Sequence, residues 1–128
     1  MEIRVSDKNL RSALEDDALC VRRYGADMTK KLRLRLAALH AADSLADFWP
    51  PKSGPERCHE LKGDLAGTFS IDLKQPYRLM FRPYAATPSP NLPDEPRWET
   101  SPPKPIEEQQ RWTTFTVIDI FGIEDTHG

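Results

Sequence analysis

Apolar and polar residues alternate through the middle of the chain. The segment 69–73 reads FSIDL and the segment 77–82 reads YRLMFR, so apolar side chains return at every second position. A period of two is typical of β-strands that pack one face and leave the other in water. Between the two segments, Lys74-Gln75-Pro76 suits a turn, because proline fixes φ and has no N–H for the ladder. The pattern predicts a β-hairpin with one packed and one solvated face.

The N-terminal part of the chain predicts a strand followed by helices. Residues 1–5, MEIRV, alternate and indicate a first strand. Ser6 is a good N-cap residue, which places a helix from Asp7 to the neighbourhood of Leu14. Residues 18–24 favour a short helical turn. Gly25 suits the end of that turn, because glycine readily adopts the left-handed conformation found after helices.

The clearest helical pattern covers residues 28–42. A methionine and three leucines recur at positions 28, 32, 36 and 39, and alanines fill much of the rest. We expect the basic residues of this segment to point away from the apolar stripe; they are Lys30, Lys31, Arg33 and Arg35. A brief helix over 45–49, capped by Ser44, is expected before two prolines end it.

After the hairpin the pattern changes. Residues 84–110 contain seven prolines and no periodicity, which predicts a long surface loop. Residues 111–121, RWTTFTVIDIF, are rich in aromatic and β-branched side chains and predict a strand. The order of elements predicts a single α+β domain over 1–128. Its N-terminal strand and helices are expected to pack on a mainly antiparallel sheet of about four strands.

Composition narrows the class of protein further. The chain has 128 residues and 38% hydrophobic content, which is enough for one domain with its own core. No stretch approaches the ~20 apolar residues of a membrane helix, and the N-terminus lacks the pattern of a secretion signal. Cys20 and Cys58 form no paired motif. We therefore expect free thiols in a reducing cytoplasm, with a disulfide as the alternative.

The net charge of −2 conceals an uneven distribution. Residues 21–40 carry six lysines and arginines against one acidic residue, Asp27. A cluster of this kind can bind a polyanion even in a slightly acidic protein, and Lys30 and Arg33 are its candidate RNA contacts. The alternative is an ordinary solvated helix face.

Side chains suited to phosphate chemistry are concentrated in the hairpin and just before it. They are Arg57, His59, Lys62, Lys74, Arg78 and Arg82. Histidine exchanges protons near neutral pH, and lysine and arginine stabilise charge that develops on phosphoryl oxygens. A bend at Gly63 would let His59 and Lys62 converge, while Arg57, Lys74 and Arg82 are candidates for phosphate binding. Ordinary surface placement also explains a lone His-x-x-Lys, and Cys58 beside His59 raises the alternative of a thiol nucleophile.

A second histidine near the C-terminus, His127, completes a set that suits RNA cleavage without a metal or another cofactor. RNA supplies its own nucleophile, the 2′-hydroxyl group. The protein has to supply a base for that proton, cations for the phosphorane charge and an acid for the leaving 5′ oxygen. The histidines have no spacing typical of a zinc site, so no cofactor is expected.

Several motifs, taken in order, resemble the RelE/ParE superfamily of bacterial toxins, and most closely its HigB branch of plasmid-maintenance killer proteins. The segment ALHAADSLADF is similar to the family pattern L-x-x-A-x-S-L-x-D. The segment RCHELKGDLAGTFSIDLKQPYRLMF is similar to a family pattern that opens on H-x-L-K-G-D and closes on Y-R-(L/I)-x-F. The terminal DIFGIEDTHG resembles the family's D-Y-H ending. The resemblance covers most of the chain.

The resemblance implies a small RelE-like toxin of a type II toxin-antitoxin system that cuts messenger RNA on the ribosome. The implied partners are a cognate helix-turn-helix antitoxin of the HigA kind, mRNA and the ribosome. Operator DNA is bound only through the antitoxin complex, and no membrane is involved. By motif, His59, Lys62, Arg78 and His127 take the catalytic positions. Thr126 replaces the family tyrosine, and the loop at 84–110 is an insertion relative to compact members.

Two other functions stay open on the sequence. Members of the ParE branch share the fold and inhibit DNA gyrase without cutting RNA. A catalytically inactive member that only binds its antitoxin or regulates an operator is the second alternative.

Overall fold

The computed structural model describes the backbone of residues 1–85 and 105–125 and the side chains of 1–85 and 108–125. The elements in chain order are β1 (Glu2–Val5), α1 (Lys8–Glu15), α2 (Asp17–Tyr24), α3 (Ala26–Ala41), β2 (His59–Glu60), β3 (Phe69–Asp72), β4 (Tyr77–Ala85), α4 (Pro105–Thr114) and β5 (Phe115–Asp125). This is the predicted α+β class. Among the described residues, no helix is long and apolar enough to cross a membrane.

The first two helices begin at aspartates. Asp7, rather than Ser6, caps α1, because its carboxylate accepts a hydrogen bond from the N–H of Leu10 at 2.8 Å. The predicted cap lies one residue too early, since serine and aspartate are comparable N-cap residues. Asp16 caps α2 through the N–H three residues further on, at 3.2 Å. α2 ends at Gly25, as predicted, with a φ of 90° in the left-handed region.

α3 carries the predicted apolar stripe with one correction. Met28 and Leu32 are buried, but Arg35, which was expected to face water, is only 8% exposed. Position 35 follows Leu32 by three residues and Met28 by seven, so it belongs to the same face of the helix. Arg35 Nε donates to the carbonyl oxygen of Asp72 at 2.7 Å, and its Nη2 donates to that of Pro55 at 3.1 Å. These bonds attach the helix to the end of β3.

The brief helix predicted at 45–49 is a 3₁₀ helix, Leu45–Phe48. Ser44 caps it, as predicted, by accepting a hydrogen bond from the N–H of Ala46 at 3.2 Å. Leu45 and Phe48 are buried and join the hydrophobic core. This segment therefore contributes apolar surface to the core before the chain enters the loop that leads to β2.

The strands form one sheet in the order β1-β5-β4-β3-β2. β1 is parallel to β5, and the other neighbours are antiparallel. The predicted hairpin is formed by β3 and β4, with Asp72 opposite Arg78. The sheet has five strands against the expected number of about four, and the two-residue β2 pairs with β3 by placing His59 opposite Ser70.

The two faces of the sheet differ in what they carry. The helices pack against the face that bears Ile71, Leu79, Phe81 and Ile118, and together they form the hydrophobic core. We call the other side the open face. It carries the strand residues of opposite parity, which include Glu2, Arg4, His59, Ser70, Asp72, Arg78, Met80, Arg82, Tyr84, Asp119 and Phe121.

Burial within the hairpin departs from simple alternation. All four residues of β3 are buried, including Asp72 at 5% exposure. On the open face Met80 is fully buried, whereas Tyr77, at the start of the apolar row, is 42% exposed. The prediction of a fully solvated face is therefore wrong for β3, because Arg57 and Arg78 lie against Asp72.

The C-terminal part contains a helix that the sequence pattern did not predict. β4 continues to Ala85, α4 spans Pro105–Thr114, and β5 begins only at Phe115. Trp112 is 1% exposed and packs edge-on against Trp49, with 5.0 Å between ring centroids. This packing overrides the strand preference of the aromatic and β-branched residues. The rest of the predicted loop lies outside the described residues.

Arg35→Ala is expected to lower the free energy of unfolding by about 3 kcal/mol, because two hydrogen bonds from a buried cation are lost. Arg33→Ala is the control: it removes the same side chain from an exposed position of α3 and is expected to cost less than about 1 kcal/mol. Urea unfolding followed by circular dichroism measures both values. Equal losses in the two variants would contradict the role of Arg35.

Candidate functional site

The register of the sheet places two of the predicted catalytic residues, His59 and Arg78, on the open face. His59 lies opposite Ser70 of β3, and Ser70 lies opposite Met80 of β4. In the neighbouring row, Asp72 lies opposite Arg78. Residues directly opposed in antiparallel strands project to the same side and interact. His59 and Arg78 therefore project from the same face of the sheet, on the two strands that flank β3.

Asp72 is the charged centre of this face. Its side chain is 7% exposed and pairs with two guanidinium groups. Arg57 Nε lies 3.5 Å from Oδ2, and Arg78 Nε lies 3.4 Å from Oδ1. Gln75 Nε2 also donates to Oδ2, at 3.3 Å. Because an unpaired buried charge is strongly destabilising, the two arginines and Asp72 stabilise one another in this position.

The backbone at Asp72 is held from two directions. Its N–H donates to the carbonyl oxygen of Glu56 at 2.8 Å, and its own carbonyl oxygen accepts from Arg35 Nε at 2.7 Å. Arg57, which follows Glu56, has a φ of 48°, a left-handed conformation that favours glycine. Such conformations cluster at functional positions. The unusual backbone of Arg57 and its ion pair with Asp72 therefore both indicate a functional role for this residue.

His59 adjoins these charges. Its Nδ1 lies 3.3 Å from the carbonyl oxygen of Glu60, so an N–H at Nδ1 donates there and Nε2 remains the proton acceptor. Burial lowers the pKa of His59 below its ordinary value, and the charges of Lys52 and Arg78 lower it further. The Glu60 carbonyl and the Asp72 carboxylate act in the opposite direction. The neutral form of the imidazole is therefore favoured at pH 7.

Glu60 anchors the short strand that carries His59. Glu60 Oε1 accepts a hydrogen bond from Arg111 of α4 at 2.9 Å, and Oε2 accepts one from the N–H of Gly67 at 2.9 Å. Arg111 also donates to Glu108 at 2.8 Å. β2 has only two residues. These side-chain bonds therefore hold in place a segment whose own ladder is too short to do so.

Buried polar atoms that lack a hydrogen bond are concentrated on the open face. Within the described part of the chain there are four such side-chain atoms, of which three are Ser70 Oγ, Arg78 Nε and Asp119 Oδ1 on this face. Arg78 Nε is within ion-pair distance of Asp72 but is not aligned for a hydrogen bond. Such atoms are uncommon in folded proteins, and a catalytic or binding role is one established explanation.

Two of the three predicted lysines lie on exposed turns. Lys62 begins the 3₁₀ helix Gly63–Leu65, and Gly63 has a φ of 67°, so the chain bends where a bend was expected. Lys74 Nζ lies 3.3 Å from Asp27 at the start of α3, in an ion pair exposed on both sides. Contacts between these lysines and His59 are absent from the described residues. The bend alone therefore does not join Lys62 to the histidine.

The remaining predicted residues are divided between the two sides of the sheet. Arg82 lies on the open face, with its Cζ 5.0 Å from the centre of the Phe121 ring. Lys30 and Arg33 lie on α3, which packs against the opposite face. His127 lies outside the described residues. Arg57, His59 and Arg78 are therefore grouped near Asp72, whereas Arg82 lies further along β4 on the same face.

Arg33 belongs to a separate feature. It forms an ion pair with Asp17 of α2. It also lines an open groove of about 820 Å³ between β1, α1 and α3, together with Ile3, Leu14 and Leu36. The groove is on the helical side of the molecule, so the structure does not connect it with His59 and Arg78.

Both cysteines are free thiols and both are buried, as expected from the absence of a paired motif. Burial raises the pKa of the Cys58 thiol well above its usual range. The thiolate, which is the reactive form, is therefore not available at neutral pH. The structure accordingly disfavours Cys58 as a nucleophile, although it directly precedes His59.

Asp72 and Phe121 are part of this face but are not among the predicted site residues. Asp72 has the sequence pattern of an ordinary solvated position in an alternating strand. Its position opposite Arg78 across a short hairpin is the signal that could identify it from the sequence. The second arginine, Arg57, comes close to Asp72 only in the folded chain. For Phe121 the sequence carries no comparable signal, because an aromatic residue in a strong strand is usually part of the core.

The arrangement suits chemistry on a phosphate ester. A neutral imidazole can accept a proton, and two guanidinium groups beside it can bind phosphoryl oxygens and stabilise negative charge that develops on them. Since Asp72 holds the guanidinium groups in place, little reorganisation is needed when a substrate binds.

Comparison with known proteins bears on the fold. No protein-family model matches the chain, and no curated protein matches it. Among solved structures, the "YoeB/ParE toxin from Agrobacterium tumefaciens" is similar, with a TM-score of 0.51 and 15% sequence identity over 99% of this chain and 100% of that chain. At this level of identity the likeness establishes the fold alone. It confirms the small RelE-like α+β fold that the motifs predicted.

Arg78→Gln is expected to raise the pKa of His59, because a cation that disfavours the imidazolium is removed. Asp72→Asn is expected to lower the same pKa, because the carboxylate that favours the imidazolium loses its charge. NMR titration of the His59 ring measures both shifts, with the resonance assigned from His59→Gln. Arg4→Gln, at the far edge of the open face, is the control. Shifts of the same sign in Arg78→Gln and Asp72→Asn would contradict this electrostatic arrangement.

The lowered pKa of His59 also makes stability depend on pH. As the pH falls, the unfolded chain, with its ordinary histidine pKa of about 6.5, binds the proton before the folded chain does. The contribution of His59 to stability is therefore complete above that value and is lost as the pH falls through the lower pKa of the folded state. Urea unfolding across this range is expected to give a smaller pH dependence for His59→Gln than for the unmodified chain, and an identical slope would be inconsistent with a lowered pKa.

Proposed function

We propose that this chain is the toxin of a type II toxin-antitoxin system and acts in the cytoplasm as a metal-independent endoribonuclease on messenger RNA. The observation that carries the proposal is the grouping of His59, Arg57 and Arg78 around the buried carboxylate of Asp72. The fold, which is similar to that of a protein named as a YoeB/ParE toxin, supports the toxin class. The motif resemblance to the HigB branch supports mRNA on the ribosome as the target.

In the proposed reaction, the 2′-hydroxyl of the RNA attacks the adjacent phosphorus and the bond to the 5′ oxygen breaks. His59 accepts the proton of the 2′-hydroxyl at Nε2, which is unprotonated at neutral pH. We assign the return of a proton to the leaving 5′ oxygen to His127, the other acid–base candidate that the motif resemblance implies. The products are a 2′,3′-cyclic phosphate and a new 5′-hydroxyl end.

The phosphorane charge is stabilised by the cations of the site. Arg78 is 23% exposed and Arg57 is 52% exposed, and each pairs with Asp72 through its Nε. In this proposal the terminal nitrogens of both guanidinium groups bind phosphoryl oxygens while Asp72 keeps its two partners. Lys62, on the adjoining turn, adds a further positive charge.

The proposed partners follow from this function. A cognate helix-turn-helix antitoxin of the HigA kind neutralises the toxin and connects it to operator DNA. The ribosome presents the mRNA, and Lys30 and Arg33 on α3 are available for RNA backbone outside the reaction site because they are exposed.

The first test is expression of the chain without an antitoxin, followed by growth measurement and mapping of transcript 5′ ends. The unmodified chain is expected to arrest growth and to create new ends within coding regions. His59→Gln is expected to reduce the cleavage rate by roughly 10²–10⁴-fold, since a general base is lost. Lys62→Ala combined with Arg78→Ala is expected to relieve the arrest, because two cations that stabilise the phosphorane are lost.

Arg4→Ala is the matched control, because it removes an exposed arginine from the open face at the distant β1 edge. It is expected to retain full toxicity. If the folded Lys62→Ala, Arg78→Ala variant remained fully toxic, the proposed site would be wrong. Accumulation of DNA breaks with intact transcripts would instead favour gyrase inhibition. Normal growth with intact transcripts would favour an inactive member of the family.

A further inference from the structure

We infer that the open face contains a subsite on which bases of single-stranded RNA stack, formed by Arg82, Phe121 and Tyr84. The inference rests on the proposed function in one respect, namely that RNA reaches the open face. The phosphate chemistry is proposed at Arg57, His59 and Arg78. The inference adds that Arg82, Phe121 and Tyr84 recognise a different part of the RNA, the flat faces of the bases.

The first observation is a β-bulge at Phe121. Met80 pairs with Gly122, but the next residue of β4, Phe81, pairs with Ile120, so β5 has one extra residue at this point. That residue is Phe121. Bulges bend a strand and redirect a side chain, and they are frequent beside active sites. The bulge places an aromatic ring on the open face, in a strand whose neighbouring isoleucines face the core.

The second observation is the cation–π contact between Arg82 and Phe121. The Arg82 guanidinium lies over the Phe121 ring, with 5.0 Å between Cζ and the ring centre. Arg82 is exposed and Phe121 is half-buried. The guanidinium group therefore contacts the ring and is also accessible to a ligand. Arginine planes of this kind stack on unpaired bases.

The third observation is the position of Tyr84 on the same side of β4. Tyr84 follows Arg82 by two strand positions, so it shares the open face, and it is 49% exposed. With a rise of about 3.3 Å per residue, Arg82 lies about 7 Å from Tyr84 and about 13 Å from Arg78 along the strand. The row thus leads from the phosphate site to two successive stacking groups, as expected for a single strand of extended RNA.

These features favour a single strand over a duplex. In a duplex the faces of the bases are covered by their neighbours, whereas an unpaired base can leave its stack and pack on an aromatic or guanidinium plane. Recognition through base faces is also tolerant of sequence, because every base has a π-face. The subsite is therefore expected to require a base without selecting a particular one.

The test measures binding of fluorescent 2′-O-methyl oligonucleotides, which cannot be cleaved because the 2′-hydroxyl is blocked. The probes are a single strand with all bases, a strand of equal length with base-free positions, and a duplex. The unmodified chain is expected to bind the complete single strand roughly tenfold more tightly than the base-free strand, in line with the usual strength of base–aromatic stacking. Equal binding of these two strands, tighter binding of the duplex, or no binding of any probe would overturn the inference.

The variants separate stacking from charge and from general apolar contact. Phe121→Leu and Tyr84→Leu keep apolar bulk but remove the rings, and Arg82→Lys keeps the charge but removes the plane. Each is expected to weaken binding of the complete strand about fivefold to tenfold and to leave binding of the base-free strand unchanged. Tyr77→Leu is the matched control, because Tyr77 is also exposed, at 42%, but belongs to the opposite face of β4. Equal effects of Tyr77→Leu and Tyr84→Leu would contradict the subsite.

A spectroscopic measurement distinguishes stacking from a structural effect of the substitutions. A single 2-aminopurine flanked by base-free positions is expected to lose fluorescence when the unmodified chain binds it, because the base stacks on a protein group. Arg82→Lys is expected to restore the fluorescence at saturating protein, although the charge and the fold are kept. Unchanged quenching in Arg82→Lys and in Phe121→Leu would exclude their role.

Failure of this inference and failure of the proposed function give different results. If the chain cuts transcripts but Phe121→Leu and Arg82→Lys bind like the unmodified chain, the subsite is wrong and the nuclease assignment stands. If transcripts remain intact but binding requires bases and these side chains, the stacking subsite stands on a protein that binds RNA without cutting it.

Discussion

The carboxylate of Asp72 is the interaction on which the open face depends. It is 7% exposed, and its charge is compatible with burial because Arg57 and Arg78 lie on either side of it. The arginines are in turn held against the sheet rather than free in water. The backbone of Asp72 is fixed by Arg35 from α3 and by Glu56 from the segment before β2. One residue thus links the helical layer, that segment and the hairpin, and the same contacts position the groups that we propose bind phosphate.

The acid–base group that we propose for the site depends on the same surroundings. His59 sits on a strand of two residues, which Glu60 holds through its bonds to α4 and to the N–H of Gly67. Burial and the nearby cations favour the neutral imidazole. The histidine can therefore accept a proton while the neighbouring arginines bind an anion. The C-terminal helix therefore contributes to the site at a distance, by fixing the strand that carries the histidine.

The hydrophobic pattern was sufficient for the fold class, the first strand, the main helix and the hairpin, because their alternation or helical spacing is local. It failed for residues and elements whose structure depends on contacts with distant parts of the chain. Arg35 was expected in water and is buried, since its partners are two carbonyl groups far away in sequence. α4 was expected to be loop and strand, since the burial of Trp112 is not visible locally. In the site, His59 and Arg78 could be proposed from motifs, but the carboxylate that unites them could not, because Asp72 has no unusual local signal. His127 lies outside the described residues, so its place in the site remains a prediction.

The most direct measurement is a crystal structure of the chain with a non-cleavable RNA strand. One phosphate is expected between the terminal nitrogens of Arg57 and Arg78, with the adjacent 2′-oxygen within hydrogen-bonding distance of His59 Nε2 and Asp72 still paired with both arginines. A strand bound instead along the basic surface of α3, with the open face unoccupied and Asp72 unchanged, would contradict the proposed site.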